Sequence, residues 1–492
     1  MARLTSISDI RRHFYRNDVP TYFVSATPFN LLGMDEWVRR FTFVNYIDCF
    51  DGDHPSVFVP SKKPHDVFQS IEEITNYLLD HEEFRALVRK NAPKKGTHTG
   101  NVVFLFFDEE SERLCKELGL KVCFPAAKLR NRVDDKMVTT RIGNEAGVAS
   151  VPNCLTRVRS YDQLTAVADA HGLGKKLVVQ TSFGDSGHTT FFISSKRDYA
   201  KYAEEIESQR EVKVMKRIRC RGSALEACVT RHGTIVGPLM TELVGFKELT
   251  PYKGGWCGNE VFAETFTQRV RDQARQSAFK IGEALRRKRY RGYFEVDFLT
   301  DLDTSDVYLG EINPRITGAS SMTNLASFAH ADAPLFLFHL LEYTRKGYDL
   351  DVEALNARWA DGANIDNWSQ LVIKHTGDNV EMIKNAPRSG VWELDPNGGL
   401  DFVRPQVHRR TVQYENRAFW LRIAKEGDWF YEGADLGILV TPGRLMTRGF
   451  KLTDRAKAWI EGIRGEYEFG HASAKARAQA AKRVEVAGFK LL

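Results

Sequence analysis

Four residues in the second half of the chain have the types and spacing to grip a charged oxygen-rich ligand. Asp297 stands in Gly292-Tyr293-Phe294-Glu295-Val296-Asp297-Phe298, and Glu311, Asn313 and Arg315 stand in Tyr308-Leu309-Gly310-Glu311-Ile312-Asn313-Pro314-Arg315. Both runs predict strands, joined as a hairpin through DLDTSD. Side chains alternate along a strand, so Glu311, Asn313 and Arg315 share a face and Asp297 meets them from the neighbouring strand. Two carboxylates, an amide oxygen and a guanidinium then converge. Hard oxygen donors in that number match Mg2+, which keeps several waters, takes one or two carboxylates and fills its octahedron with substrate phosphates. The guanidinium fork suits a phosphoryl or acyl-phosphate oxyanion, because it binds two oxygens at once. Taken alone, either carboxylate reads as a solvated group on a surface hairpin. The surrounding chain decides between the two.

The elements that must carry these residues show in the hydrophobic pattern. TYFVSA (21–26), FTFVNYI (41–47) and NVVFLFF (101–107) predict buried parallel strands, with helices over 71–90 and 109–120 between or after them. Residues 1–130 thus form an open α/β domain. Residues 131–345 mix β-structure with helices: KKLVVQTS (175–182) and TTFFISS (189–195) flank a glycine-containing turn, and further strands are expected at 211–218, 224–230 and 234–240. A long amphipathic helix is expected over 265–287, with Val270, Ala274, Phe279, Ile281 and Leu285 facing the core. From Asn367 onward, short strand-like runs separated by Gly, Asp, Asn and Pro predict a β-rich domain over 346–475. Residues 476–492 form a basic Ala-rich tail to which no function is assigned.

Composition narrows the function class. The 492 residues are 42% hydrophobic and 27% charged, which excludes wholesale disorder and requires several domains. Seventy Lys and Arg against 64 Asp and Glu leave +6, a surplus that suits anionic small ligands rather than a dedicated nucleic-acid binder. The basic run Arg286–Arg291 reads as a helix end, where cations favour the dipole. Seven scattered cysteines without a C-x-x-C pair argue against disulfides and structural zinc, and no stretch of 18 apolar residues occurs. A soluble cytoplasmic protein without membrane or nucleic-acid partners is expected.

With these residues in place, the sequence resembles the ATP-grasp superfamily, whose signature is an acidic residue on one strand and Glu-x-Asn on the next. Asp297, Glu311 and Asn313 occupy those places, fourteen positions separating the two carboxylates. Arg315 resembles the catalytic arginine of the biotin carboxylase and carbamoyl phosphate synthetase branches. The resemblance implies an α/β architecture with an N-terminal Rossmann-like pre-ATP-grasp domain, a central ATP-grasp domain with a lid at about 150–222, and a C-terminal β-rich domain. It implies that Lys136, at the start of a helix, reaches a nucleotide phosphate, although an exposed helical lysine is the commoner fate. Gly184-Asp185-Ser186-Gly187-His188-Thr189 resembles the glycine-rich loop over the triphosphate, where backbone N–H groups cradle phosphate oxygens; a plain hairpin turn has the same composition.

Backbone groups near Arg217 and Ile218 would pair with the base, and Glu226 would approach the ribose end. Two departures stand out: where the family has a lysine before the loop this chain has Gln180, and where it has an acid before the hinge it has Lys216. Lys216 is therefore expected to supply the charge that Gln180 lacks. The segment holding Gly318, Ser320 and Ser321 would border the substrate, or its serines would cap the next helix. The family implies ATP with Mg2+, two ions in number and Mn2+ as a substitute. It also implies transfer of the γ-phosphoryl group to a carboxylate and capture of the acyl phosphate by an amine. The run ITGASSM lacks the Glu-His pair of the biotin enzyme, which favours an amino-acid or peptide-type ligase. A biotin-carboxylase-like or carbamoyl-phosphate-forming enzyme and a non-catalytic ATP sensor are the alternatives. Small-molecule acids and amines are the expected partners, with a homodimer as the default assembly.

Overall fold

The three apolar runs at the N-terminus become the middle of a parallel sheet, as continuous burial on both faces requires. In the computed structural model this sheet takes β1 (Thr21–Ser25), β2 (Phe41–Asn45), β3 (Val57–Phe58), β4 (Gly100–Phe104) and β5 (Leu120–Val122) in the order β3-β2-β1-β4-β5. The structure describes residues 3–63, 68–94, 96–182, 189–326, 333–470, 473–475 and 477–478. The single helix expected over 71–90 is two helices, Ile71–Asp80 and Glu82–Asn91. They break at His81, whose backbone is extended and whose ring accepts the Glu83 N–H as a cap.

The lid is a four-stranded antiparallel sheet of β6 (Asn153–Thr156), β7 (Leu177–Gln180), β8 (Thr190–Ile193) and β9 (Val212–Lys216), ordered β6-β9-β7-β8. One face packs on three helices, Tyr161–Ala170, Lys196–Ala200 and Ala203–Ser208, through Leu177, Val179, Val212 and Val214.

A ten-stranded sheet dominates the rest of the chain. Its first part is β10 (Cys220–Thr230), β11 (Gly233–Val244), β12 (Trp256–Val261), β13 (Gly292–Asp301) and β14 (Val307–Asn313). The short runs after Asn367 add β15 (Trp368–Lys374), β17 (Gly390–Leu394), β18 (Leu400–Arg404), β19 (Arg417–Arg422) and β21 (Asp435–Pro442) to that same sheet. The order is β14-β13-β10-β11-β12-β15-β21-β19-β17-β18, and the join is the antiparallel pairing of β12 with β15, Gly258 opposite Leu371. A small sheet of β16 (Glu381–Asn385), β20 (Trp429–Phe430) and β22 (Glu468–Gly470) completes the strands described.

The expected long helix spans Gln268–Arg287, capped by Thr267. It buries Val270, Ala274, Ala278, Ile281 and Leu285 against Leu225, Ala227, Phe294, Val296 and Phe298 of the ten-stranded sheet. Phe279, expected on that face, is 39% exposed, because helical advance puts 278 rather than 279 in line with 274, 281 and 285. With Phe294, Val296 and Phe298 committed to the helix side, the alternation of β13 sends Glu295, Asp297 and Leu299 to the opposite side, facing the lid.

Candidate functional site

Register assembles the site across three strands. Glu226 of β10, Glu295 of β13 and Asn313 of β14 lie in one cross-strand row, and Ala224, Asp297 and Glu311 lie in the next. A bulge beside Asp297 leaves Gly310 unopposed, and a Cβ there would stand 2.9 Å from the Asp297 carbonyl oxygen, so glycine permits the close approach. The hairpin therefore brings together all four residues its sequence pointed to. Asn313 donates from Nδ2 to Asp297 Oδ2 at 3.0 Å and Glu295 Oε2 at 3.2 Å, and Arg315 Nη2 donates to Asn313 Oδ1 at 3.0 Å. The Arg315 guanidinium lies over the Phe106 ring, 4.6 Å from its centroid, just beyond the C-terminal end of β4.

Lys136 enters from the first turn of the helix Lys136–Glu145, whose N-cap Asp135 accepts the Met137 and Val138 N–H groups. Buried, it forms an ion pair with Glu311. Burial alone would raise the Glu311 carboxyl, and the charge and hydrogen bond of Lys136 override it, holding Glu311 below the usual carboxylate range.

The same face carries two carboxylates that the sequence reading missed. Glu295 is raised to about 8, first by burial and then by Glu226 and Glu242, while Glu242 on β11 is raised to about 7 by burial and Glu311. Asp297 is pushed well up by burial and by Glu295, Glu242 and Glu311 around it. Glu295 was legible, two residues before Asp297 on the same strand; Glu242 arrives by strand pairing that no local pattern shows. This crowding of carboxylates disfavours their ionised forms, and a divalent cation among them would favour those forms again. Among the described residues no three His, Cys, Asp or Glu side chains form a metal-holding group. Asp297, Glu311 and Asn313 instead fit an ion that keeps waters and takes phosphate oxygens, as Mg2+ does.

Opposite these groups stands the lid. Residues directly paired across a ladder share a face, so Val178, Gln180, Lys213 and Met215 point together: Gln180 is opposite Lys213, and Val178 opposite Met215. Val178, Met215 and Val151 pack with Ile218, Leu299 and Tyr308 in an apolar cluster that joins the lid to β13 and β14. At the hinge, the Arg217 N–H donates to the Lys176 carbonyl at 2.9 Å. Among the described residues, the Arg217 carbonyl and the Ile218 N–H take no backbone partner. The lid and the hairpin thus meet at an apolar cluster beside unpaired backbone groups and at a charged group of Lys136, Lys213, Arg315 and the carboxylates.

Several expectations need correction. Lys216 is exposed and shares the parity of Val214, so it cannot face the hairpin; Lys213 does. Glu226 is fully buried, accepting from Ser320 Oγ at 2.6 Å and Thr323 Oγ1 at 2.7 Å, and cannot approach a ribose. Ser321 Oγ donates to Gln370 Oε1 at 2.8 Å, and Gln370 Nε2 donates to the Gly318 carbonyl at 2.9 Å. These serines therefore neither face a ligand nor cap the helix Ser320–Asn324, whose N-cap is Ala319 without a side-chain bond; they fasten the segment after Arg315 onto the sheet. Gln180 donates to Thr190 Oγ1 at 3.2 Å, and Thr189 closes the β7–β8 pair through its carbonyl. Gly184, Asp185, Ser186, Gly187 and His188 lie outside the described residues. A surface hollow of about 800 Å³ between the helices Gln268–Arg287 and Val352–Ala360 lies on the far side of the sheet from these groups.

No protein-family model matches the chain, and no curated protein matches it in sequence. Solved structures do match in shape. The biotin carboxylase of Campylobacter jejuni, in a β,γ-ATP complex, is similar over 92% of this chain and 92% of its own, with TM-score 0.60 and 12% identity. The biotin carboxylase domain of 2-oxoglutarate carboxylase from Hydrogenobacter thermophilus, in complex with MgADP, ADP and bicarbonate, is similar over 92% and 91%, with TM-score 0.58 and 11% identity. N5-carboxyaminoimidazole synthase from Aspergillus clavatus, with ADP and 5-aminoimidazole ribonucleotide, is similar over 90% and 97%, with TM-score 0.53 and 13% identity. The parallel N-terminal sheet, the antiparallel lid and the carboxylate-bearing hairpin facing it give this chain the ATP-grasp fold.

Proposed function

We propose that the chain is an ATP-dependent ligase that activates a carboxylate as an acyl phosphate and joins it to an amine, with small-molecule acids and amines as its substrates. The observation that carries this reading is the two-part junction between the lid and the hairpin. Its apolar end (Val151, Val178, Met215, Ile218, Leu299) suits a nucleobase, and its charged end suits a triphosphate with its metal. The fold likeness to nucleotide-bound carboxylases and a synthase supports it.

In this reading Lys136 would exchange its bond with Glu311 for a phosphate oxygen, and Asp297, Glu311 and Asn313 would hold Mg2+. The ion supplies charge neutralisation at the transferring phosphoryl group. Arg315, oriented by Asn313 and by the Phe106 ring, faces the oxygens on which charge develops, where a preoriented donor is most effective. A substrate carboxylate oxygen forms a bond to the γ-phosphorus while the bond to the β–γ bridging oxygen breaks and ADP leaves. The amine then attacks the acyl carbon, inorganic phosphate leaves, and the nitrogen loses a proton. Water would hydrolyse the acyl phosphate, so the lid must cover the site during this interval.

The test is phosphate release from MgATP across a panel of acids and amines. Release should require an acid, and Glu311→Gln should lower it by on the order of 10²-fold or more while the far-ultraviolet dichroism stays unchanged. MgATP binding without release under any acid and amine would point instead to a sensor.

A further inference from the structure

Lys213 is a cation between the lid and the hairpin that no contact explains. It lies on β9, is 1% exposed, and has no hydrogen bond or ion pair among the described residues. A buried ammonium without a partner is unfavourable, so a chain that keeps one there keeps it for something that arrives. Three observations say what arrives. Its side chain shares the hairpin-facing side of the lid with Val178 and Met215 of the apolar cluster, so it lies beside whatever that cluster covers. It feels the attraction of Glu311 and the repulsion of Lys136, so it stands near the charged group. It is directly opposite Gln180, whose amide is already turned to Thr190, leaving Lys213 as the cation of that row. An anion lying between the lid and the hairpin would touch Lys136 from below and Lys213 from above.

We propose that Lys213 binds the polyphosphate of a nucleoside di- or triphosphate, clamping it against Lys136 from the lid side. The proposal rests on the nucleotide-binding reading of that junction and adds to it the residue that distinguishes phosphate from base. Lys216, three positions on, has the wrong strand parity for the task.

Calorimetric titration of the full chain with MgATP, MgADP and adenosine tests it. Lys213→Met should weaken MgATP and MgADP by about tenfold to a hundredfold and adenosine by less than about twofold, since only a charge-assisted bond to phosphate is removed. Moving the charge across the ladder, in the double variant Gln180→Lys with Lys213→Gln, should bring MgATP back to within about threefold of the parent, because the paired positions share a face. Unchanged MgATP affinity in Lys213→Met would overturn the proposal and leave the nucleotide reading standing. Equal loss for MgATP and adenosine would overturn it too, as would a double variant that binds adenosine but not MgATP. A parent chain that binds none of the three overturns the nucleotide reading and this proposal together.

Discussion

At the scale of single residues, strand parity separates the legible from the illegible. Asp297, Glu311, Asn313 and Arg315 were legible because alternation within two adjacent runs suffices to put them on one face. The segment Val212-Lys213-Val214-Met215-Lys216 offers two lysines of opposite parity, and only the pairing of β9 with β7 shows that Lys213 faces in. Glu226 looked like a ligand contact by position, whereas burial under three hydroxyl side chains makes it a fastener. Lys213 also carries a prediction for the chain without nucleotide. Burial pulls its ammonium down from 10.5 to about 8, with Glu311 opposing and Lys136 assisting. Between about pH 8 and 10.5 the unfolded chain therefore binds more protons than the folded one, and stability rises with pH across that window. Below it the parent carries a penalty on the order of 3 kcal/mol, so Lys213→Met should melt higher than the parent at pH 7 and lose that advantage by pH 10. Thermal unfolding at the two pH values measures it; a lower melting temperature at pH 7 would contradict the assignment of an unpaired charge.

At the scale of elements, periodicity located helices and strands better than it located their breaks. The Gln268–Arg287 helix was legible from its apolar spacing, but the stop at His81 depends on one ring capping the next helix, a contact with no periodic signal. A second histidine shows how an element is seated. His339, on the helix Leu335–Glu342, is fully buried: its Nδ1 accepts the Tyr293 N–H at 2.9 Å, and its Nε2 donates to the Cys123 carbonyl at 2.7 Å. It thereby ties that helix to the start of β13 and to the end of the parallel sheet. Burial lowers its pKa to about 3, with the Cys123 bond opposing. The folded chain keeps it neutral while the unfolded chain protonates it below about pH 6.5, so its contribution is present above that pH and is lost as the pH falls. At pH 5 the loss should be about 2 kcal/mol. His339→Gln should unfold more easily than the parent at pH 7 yet show a flatter decline between pH 7 and 5, read from denaturant midpoints at each pH. Parallel declines in the two proteins would refute this account.

At the scale of the whole molecule, the β-character of the chain after Asn367 was legible, but its continuity with the earlier sheet was not, because pairing between residues more than a hundred positions apart leaves no local trace. The join is tight. Gly258 on β12 has φ of +136°, and a Cβ there would lie 1.9 Å from the Gln370 carbonyl oxygen. Gly258→Ala should therefore destabilise by about 3 kcal/mol and do so in one transition shared by both halves of the sheet, as scanning calorimetry would show. Two separated transitions would mean that the halves fold independently. Residues 346–475 expressed alone should fail to give a dispersed amide spectrum, since β15 would lose its β12 partner and present a bare edge.

That mid-sheet seam also limits how such a molecule can be recombined. A chimaera spliced near residue 346, where composition invites a cut, would exchange β15 while keeping the β12 it must mate with. Viable crossovers should instead fall at the two tethers of the lid, near residues 150 and 219, where few ladder bonds span the break. The lid should then be exchangeable as a cassette, whereas the strands of the ten-stranded sheet should be exchangeable only together.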